Sequence, residues 1–138
     1  MQTSNDILKR LQAAGRRLTK ARKAVVSALA AGRPMTADEI RRKVSRALPS
    51  THKTTVYREI AALAEEGMLA EVRLGDRAVR YELNEGHHHH LVCTDCGDVR
   101  DVELKGDLTK EEKRIGRATG FKIEKHALEF FGRCAACH

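Results

Sequence analysis

Ser50-Thr-His-Lys-Thr-Thr-Val-Tyr-Arg-Glu-Ile-Ala-Ala-Leu-Ala-Glu-Glu-Gly67 is the stretch on which the fold turns. Val56, Ile60 and Leu63 recur at helical spacing and predict one buried stripe. Pro49 bars a helix from running in from upstream, Ser50 or Thr51 can open one, and Gly67 supplies a C-terminal stop. Directly beyond, the period changes. Leu69 to Leu74 and Ala78 to Leu83 are short β-prone runs around Gly75-Asp76, which reads as a hairpin. Working upstream, Thr36-Ala-Asp-Glu39 is a capping box, opening a helix with Ile40, Val44 and Leu48 inward and closed by Pro49. Thr19 can cap a helix carrying Val25, Val26 and Leu29 and ended by Gly32. Ile7, Leu8 and Leu11 mark an earlier helix after Ser4 and Asn5. Three core helices followed by a two-stranded wing describe a winged helix-turn-helix.

In that architecture the helix after Pro49 enters the major groove. Its first turns hold Thr51, His52, Lys53, Thr54, Thr55, Tyr57 and Arg58, all able to donate to phosphates or base edges. Arg58 is the base-reading candidate, because its planar fork addresses guanine with two hydrogen bonds. Arg16, Arg17, Lys20, Arg22 and Lys23 form a second basic cluster placed to brace the DNA backbone. The charge balance agrees. Residues 1–83 hold 17 Lys and Arg against 9 Asp and Glu, whereas residues 84–138 hold 9 against 10. All the excess positive charge, +7 for the chain, therefore lies in the front half, where a polyanion would bind. A solvated basic surface is the plain alternative. With 138 residues, no Trp and only 4% aromatics, a small core gains from a metal staple or a partner subunit.

The back half supplies the staple. Cys93-Thr-Asp-Cys96 and Cys134-Ala-Ala-Cys137 are two pairs whose short spacing lets both thiolates of a pair reach one ion from one tight turn. Together they offer the four sulfurs of a closed tetrahedral zinc site. Two disulfides are the rival reading. Met1 to Asp6 is polar and unlike a signal peptide, and no apolar run reaches membrane-spanning length. A reducing cytoplasm, with no membrane association, is the expected location, and it favours zinc.

Four stretches, Arg17-Leu-Thr-Lys-Ala-Arg22, Thr55-Val-Tyr-Arg58, His87-His-His-His-Leu-Val-Cys-Thr-Asp-Cys-Gly97 and Phe131-Gly-Arg-Cys-Ala-Ala-Cys137, resemble signatures of the ferric uptake regulator family, in the family's order. The resemblance covers nearly the whole chain. It implies an α+β protein, with a winged-helix DNA-binding domain at 1–83 and a small α/β metal-binding dimerisation domain at 84–138. It also implies a homodimeric, metal-dependent transcription regulator, usually a repressor, bound to a pseudo-palindromic site in double-stranded DNA. The family includes iron, zinc, manganese and nickel sensors and a peroxide-sensing branch, which makes a peroxide-stress regulator the alternative reading.

Beside that resemblance the ligand inventory reads physically. If residues 87–90 are extended, His88 and His90 face one side and His87 and His89 the other. Glu82 and Asp101 could join His88 and His90 in a nitrogen-and-oxygen site suited to Fe²⁺, Mn²⁺ or Zn²⁺. The resemblance assigns those positions to the regulatory metal. His126, on the strand-like run Phe121 to Phe131, matches a further site of some members, with His87, His89 and Glu111 or Glu112 as partners. A packed core histidine is the competing account. One departure stands out. Many members carry a histidine just before the third helix, and here that stretch is Arg33-Pro34-Met35. An enzyme is not expected, because a Cys₄ site is closed and no His-x-Glu precedes a Pro-Cys-x-x-Cys motif. A metal-storage module would leave the basic front half idle.

Overall fold

The computed structural model describes residues 4–75, 78–84, 86, 88–106 and 108–138. Asp76 of the hairpin turn and His87 of the histidine run lie outside the described residues. Two compact units divide the chain, Met1–Gly86 and His87–His138.

The first unit begins with α1 (Ser4–Ala13) and α2 (Lys20–Ala28). α2 starts where expected, with the Thr19 hydroxyl accepting from Arg22 N at 3.1 Å. A short β1 (Met35–Thr36) leads into α3 (Ala37–Ala47), whose capping box is complete. Thr36 Oγ1 accepts from Glu39 N, and the Glu39 carboxylate accepts from Thr36 N, both at 3.2 Å. α4 (Lys53–Glu65) begins later than the Ser50/Thr51 expectation. Its N-cap is His52, whose side chain makes no capping bond, and just upstream Thr51 N donates to the Leu48 carbonyl, closing a turn before the helix starts. Gly67 ends the helix segment with φ of 76°, a left-handed conformation that favours glycine.

Ile7, Leu11, Val25, Val26, Leu29, Ile40, Val44, Val56, Ile60 and Leu63 are buried together. Each of these helices thus contributes the stripe its spacing indicated, except that Leu48 is the half-buried C-cap of α3 and Leu8 packs only against the margin of the core. The wing is β2 (Leu69–Arg73) and β3 (Val79–Leu83), antiparallel with Leu69 opposite Leu83 and Arg73 opposite Val79. Its sheet has three strands, in the order β1-β3-β2, because Met35 pairs with Tyr81 and Thr36 with Arg80. A two-residue strand leaves too little periodicity to be read from sequence.

The second unit is a three-stranded sheet of order β5-β4-β6 with one helix. β4 (His89–Cys93) pairs antiparallel with β5 (Val99–Val102) and parallel with β6 (Glu129–Gly132). α5 (Thr109–Thr119), which the sequence reading did not locate, supplies the crossover a parallel pair requires. None of its residues is buried, and with Ile115 as its one large apolar residue no stripe announced it. The strand-like run Phe121 to Phe131 becomes a strand only from Glu129 onward. Among the described residues no helix is long and apolar enough to cross a membrane.

Candidate metal centres and nucleic-acid interface

The parallel pairing of β4 with β6 brings the two cysteine pairs together. Cys93 stands opposite Gly132 in register, so Cys96 and Cys134 leave their strands at the same end of the sheet. Thr94 ties the two ends, its N–H and its hydroxyl both donating to the Gly132 carbonyl, at 2.7 and 3.1 Å. Gly97 closes the first turn at φ of 76°, with its N–H on the Cys93 carbonyl. The sulfurs of Cys93, Cys96, Cys134 and Cys137 lie within 4.8 Å of one another, and Cys96 and Cys134 are 3.8 Å apart. Zinc–sulfur bonds of about 2.3 Å in a tetrahedron put the sulfurs about 3.8 Å apart, so this donor set fits zinc. None of the four is in a disulfide.

The sulfurs differ in character. Backbone N–H groups of Cys96 and Cys134 donate to the Cys93 sulfur, at 3.5 and 3.3 Å, and lower its pKa from 9.0 to about 6. Cys137 is pushed up to about 12 by hydrogen bonding with Cys134, Cys96 and Cys93. In the metal-free chain one sulfur is a ready anion, and a crowded neighbour holds its proton until a cation offsets the accumulated charge.

Alternation on β4 and the residue before it separates the histidines. His88 and His90 are edge-to-face, with ring centroids 4.9 Å apart. Across the ladder His90 stands opposite Asp101. Asp101 Oδ1 lies 3.7 Å from His88 Nε2 and 3.6 Å from His90 Nε2, with Asp101 on the exposed side. Ligand atoms around a first-row divalent ion, at bonds of about 2.1 Å, sit roughly 3–3.5 Å apart, so a small inward adjustment suffices. Glu82 belongs to the first unit, on β3 opposite Ala70.

His89 turns to the other face, donating from Nδ1 to the Leu128 carbonyl at 3.2 Å and stacking on His126 at 5.4 Å between centroids. The Nδ1 of His126 meets the Glu112 carboxylate. Of the two acids considered, Glu112 therefore faces His126, while Glu111 is engaged by Arg114 on its own helix.

In the first unit Lys53, Thr54, Thr55 and Arg58 are exposed along α4, with Arg17 and Lys20 exposed nearby in sequence to Thr19. Thr51 is half-buried. Tyr57 packs against the core and its hydroxyl reaches Asp38 at 3.5 Å. Asp38 is held below the usual carboxylate range by its hydrogen bond from Arg41. Arg22 does not stand free at the surface. Its Nε donates to Glu59 Oε2 at 2.7 Å and its Nη1 to the Arg17 carbonyl at 3.2 Å. Glu59 was not singled out in the sequence, since a pairing across 37 residues leaves no local signal.

A winged helix that exposes Lys53 and Arg58 on α4, joined to a unit carrying Cys₄ and His/Asp donor sets, defines a metal-responsive, DNA-binding transcriptional regulator. The chain belongs to the ferric uptake regulator family, whose pattern it matches over residues 13–131. It is 31% identical over 134 residues to the peroxide operon regulator of Bacillus subtilis (strain 168), covering 96% of this chain and 91% of that protein. It is 30% identical over 128 residues to the peroxide-responsive repressor PerR of Staphylococcus aureus (strain USA300), covering 92% and 86%. Its fold matches the Helicobacter pylori ferric uptake regulator Fur, described as having three functional metal binding sites. The TM-score is 0.78 at 24% identity, over 99% of this chain and 94% of that one. At that identity the likeness speaks for the fold alone. Regulators of this family bind DNA and function as dimers.

Proposed function

We propose that this protein is a cytoplasmic homodimeric repressor whose grip on a pseudo-palindromic DNA site is set by a divalent ion. In this reading residues 1–83 are the DNA-binding domain and residues 84–138 the metal-binding dimerisation domain. Cys93, Cys96, Cys134 and Cys137 hold a structural zinc that fastens the ends of β4 and β6. His88, His90 and Asp101, joined by Glu82 from the end of the wing, hold the regulatory Fe²⁺, Mn²⁺ or Zn²⁺. His89, His126 and Glu112, with His87, are the donors for a further ion. Arg17, Lys20, Arg22, Thr51, Lys53, Thr54, Thr55, Tyr57 and Arg58 form the DNA face, Arg22 and Tyr57 from within it. No residue has a catalytic role.

The observation that carries this reading is the convergence on one Asp101 oxygen of His88, just before β4, and His90, on the strand that ends at Cys93. One strand thereby serves a closed site and, next to it, a donor set with room for further ligands. A metal there can act as a switch only by binding the DNA-competent state more tightly than the other. The test uses the duplex that wild-type protein enriches from a random library in the presence of Mn²⁺. Affinity is then measured against free Fe²⁺, Mn²⁺ and Zn²⁺. His88→Ala should abolish metal stimulation while leaving one zinc per chain. Identical curves for both proteins with every metal would remove the site from regulation.

The names of the Bacillus and Staphylococcus relatives favour a second reading, in which peroxide is the signal. Arg33-Pro34-Met35 stands where many family members offer a histidine, which removes one oxidisable ligand. Peroxide applied to the iron-loaded protein distinguishes the readings. Release of DNA with a mass gain of one oxygen on His88 or His90 supports the peroxide reading, and unchanged binding supports the metal reading.

A further inference from the structure

Arg22 carries a consequence beyond the charge it adds to the DNA face. Its backbone N–H is fixed by the Thr19 cap, so its side chain leaves α2 in a defined direction. One nitrogen then reaches Glu59 on α4 and another reaches the Arg17 carbonyl in the preceding basic segment. Only 13% of the Arg22 side chain and 17% of Glu59 is exposed, unlike the surface pair Arg42–Asp38, where both are more than half exposed. A second tie, Arg16 to Glu66 at 3.2 Å, links the same basic segment to the end of α4.

We propose that Arg22 is a positioning residue for DNA recognition. Through one guanidinium it sets the base-reading helix, at Glu59, in register with the phosphate-binding segment, at Arg17. This rests on the DNA-binding reading above and deepens it. Glu59 adjoins Arg58 in the chain and lies on the flank between the buried Val56–Ile60 stripe and the exposed face of α4. A rotation of α4 by about 15° moves a side-chain tip, roughly 5 Å from the axis, by more than 1 Å. Base-edge hydrogen bonds do not survive that displacement, whereas attraction to phosphates changes little. Loss of the pair should therefore cost sequence discrimination first.

The sign of one substitution separates positioning from direct contact. Glu59→Gln removes a negative charge from a DNA-binding unit, so electrostatics alone predicts tighter binding to every duplex. Positioning predicts the opposite for the selected duplex. Affinity is measured for the library-selected duplex and for a random one, at a temperature where circular dichroism shows each variant folded. The amide introduced by Glu59→Gln keeps the volume of the carboxylate but loses the charge-assisted bond that fixes the Arg22 guanidinium, so this variant stays foldable even where Arg22→Ala is not. We expect the selected-to-random ratio to fall about fivefold or more in Glu59→Gln and in Arg22→Ala, the range of one lost base contact. The swapped pair Arg22→Glu/Glu59→Arg should recover a ratio above that of Arg22→Glu alone. Mere destabilisation lowers the active fraction for both duplexes alike and leaves the ratio unmoved. A Glu59→Gln protein that tightens on both duplexes with an unchanged ratio, or a swap with no recovery, overturns the positioning role. Failure of wild-type protein to enrich any duplex would overturn the DNA-binding reading itself, and this role with it.

Discussion

At the scale of single residues, Cys93 and Cys137 show how one site prepares itself unequally for a cation. Cys93, with two backbone N–H groups on its sulfur, is largely thiolate above a pH of about 6. Cys137, hydrogen-bonded to the other sulfurs, keeps its proton up to about 12. Zinc requires all four as thiolates, so loading releases protons and affinity rises with pH. Below about 6 Cys93 contributes one of those protons, and above it no longer does. The slope of log affinity against pH should therefore drop by about one as pH rises through 6, measured by chelator competition from pH 5 to 8. A slope with no break there would contradict the assigned anion. Cys137→Ser should lose the zinc and destabilise the C-terminal unit, because binding energy at such a site is folding energy. Retention of one tightly held zinc by that variant would rule out the four-sulfur site.

At the scale of elements, what was legible in sequence is what local chemistry encodes. The Thr36–Glu39 box, the Thr19 cap and the stripe Val56, Ile60, Leu63 each needed only neighbours within one or two turns. Thr36→Ala should therefore cost about 1 kcal/mol in denaturant unfolding, the usual worth of a cap. Leu63→Ala, in a fully buried position, should cost about 2–5 kcal/mol. Equal costs for the two would mean that the cap carries tertiary weight beyond its two hydrogen bonds. What was not legible depended on distant partners. β1 exists because β3 offers it a ladder. α4 starts at Lys53 because Leu48 and Thr51 first close a turn. α5 carries Ile115 as its one large apolar residue, too little to mark a buried stripe, although Gly120 at φ of 76° marks its end. In the donor sets, His88 and His90 were separable from His89 by alternation alone. The choice of Glu112 over Glu111 required the fold to bring His126 to that face of α5.

At the scale of the whole molecule, the two halves differ in charge and in what they expose. Leu91, Phe121, Phe130 and Phe131 are large apolar side chains left exposed, and all belong to the second unit. β4 and β6 pair within one chain, so a sheet shared between protomers would have to form at the outer edges of β5 and β6. A twofold dimer built there would present two equivalent copies of α4, and the DNA half-sites would mirror that symmetry. Linkage then makes a demanding prediction. If a divalent ion raises affinity for the selected duplex by some factor, the duplex must raise affinity for the ion by the same factor. Because Arg33-Pro34-Met35 stands where many family members carry a histidine, we expect this factor at the low end of the usual range, about tenfold. Titrating Mn²⁺ with and without duplex, and duplex with and without Mn²⁺, gives it twice by independent routes. Two equal values near ten that both collapse to one in His90→Ala would establish the switch. Two values of one in the wild-type protein would show that metal and DNA bind without knowledge of each other.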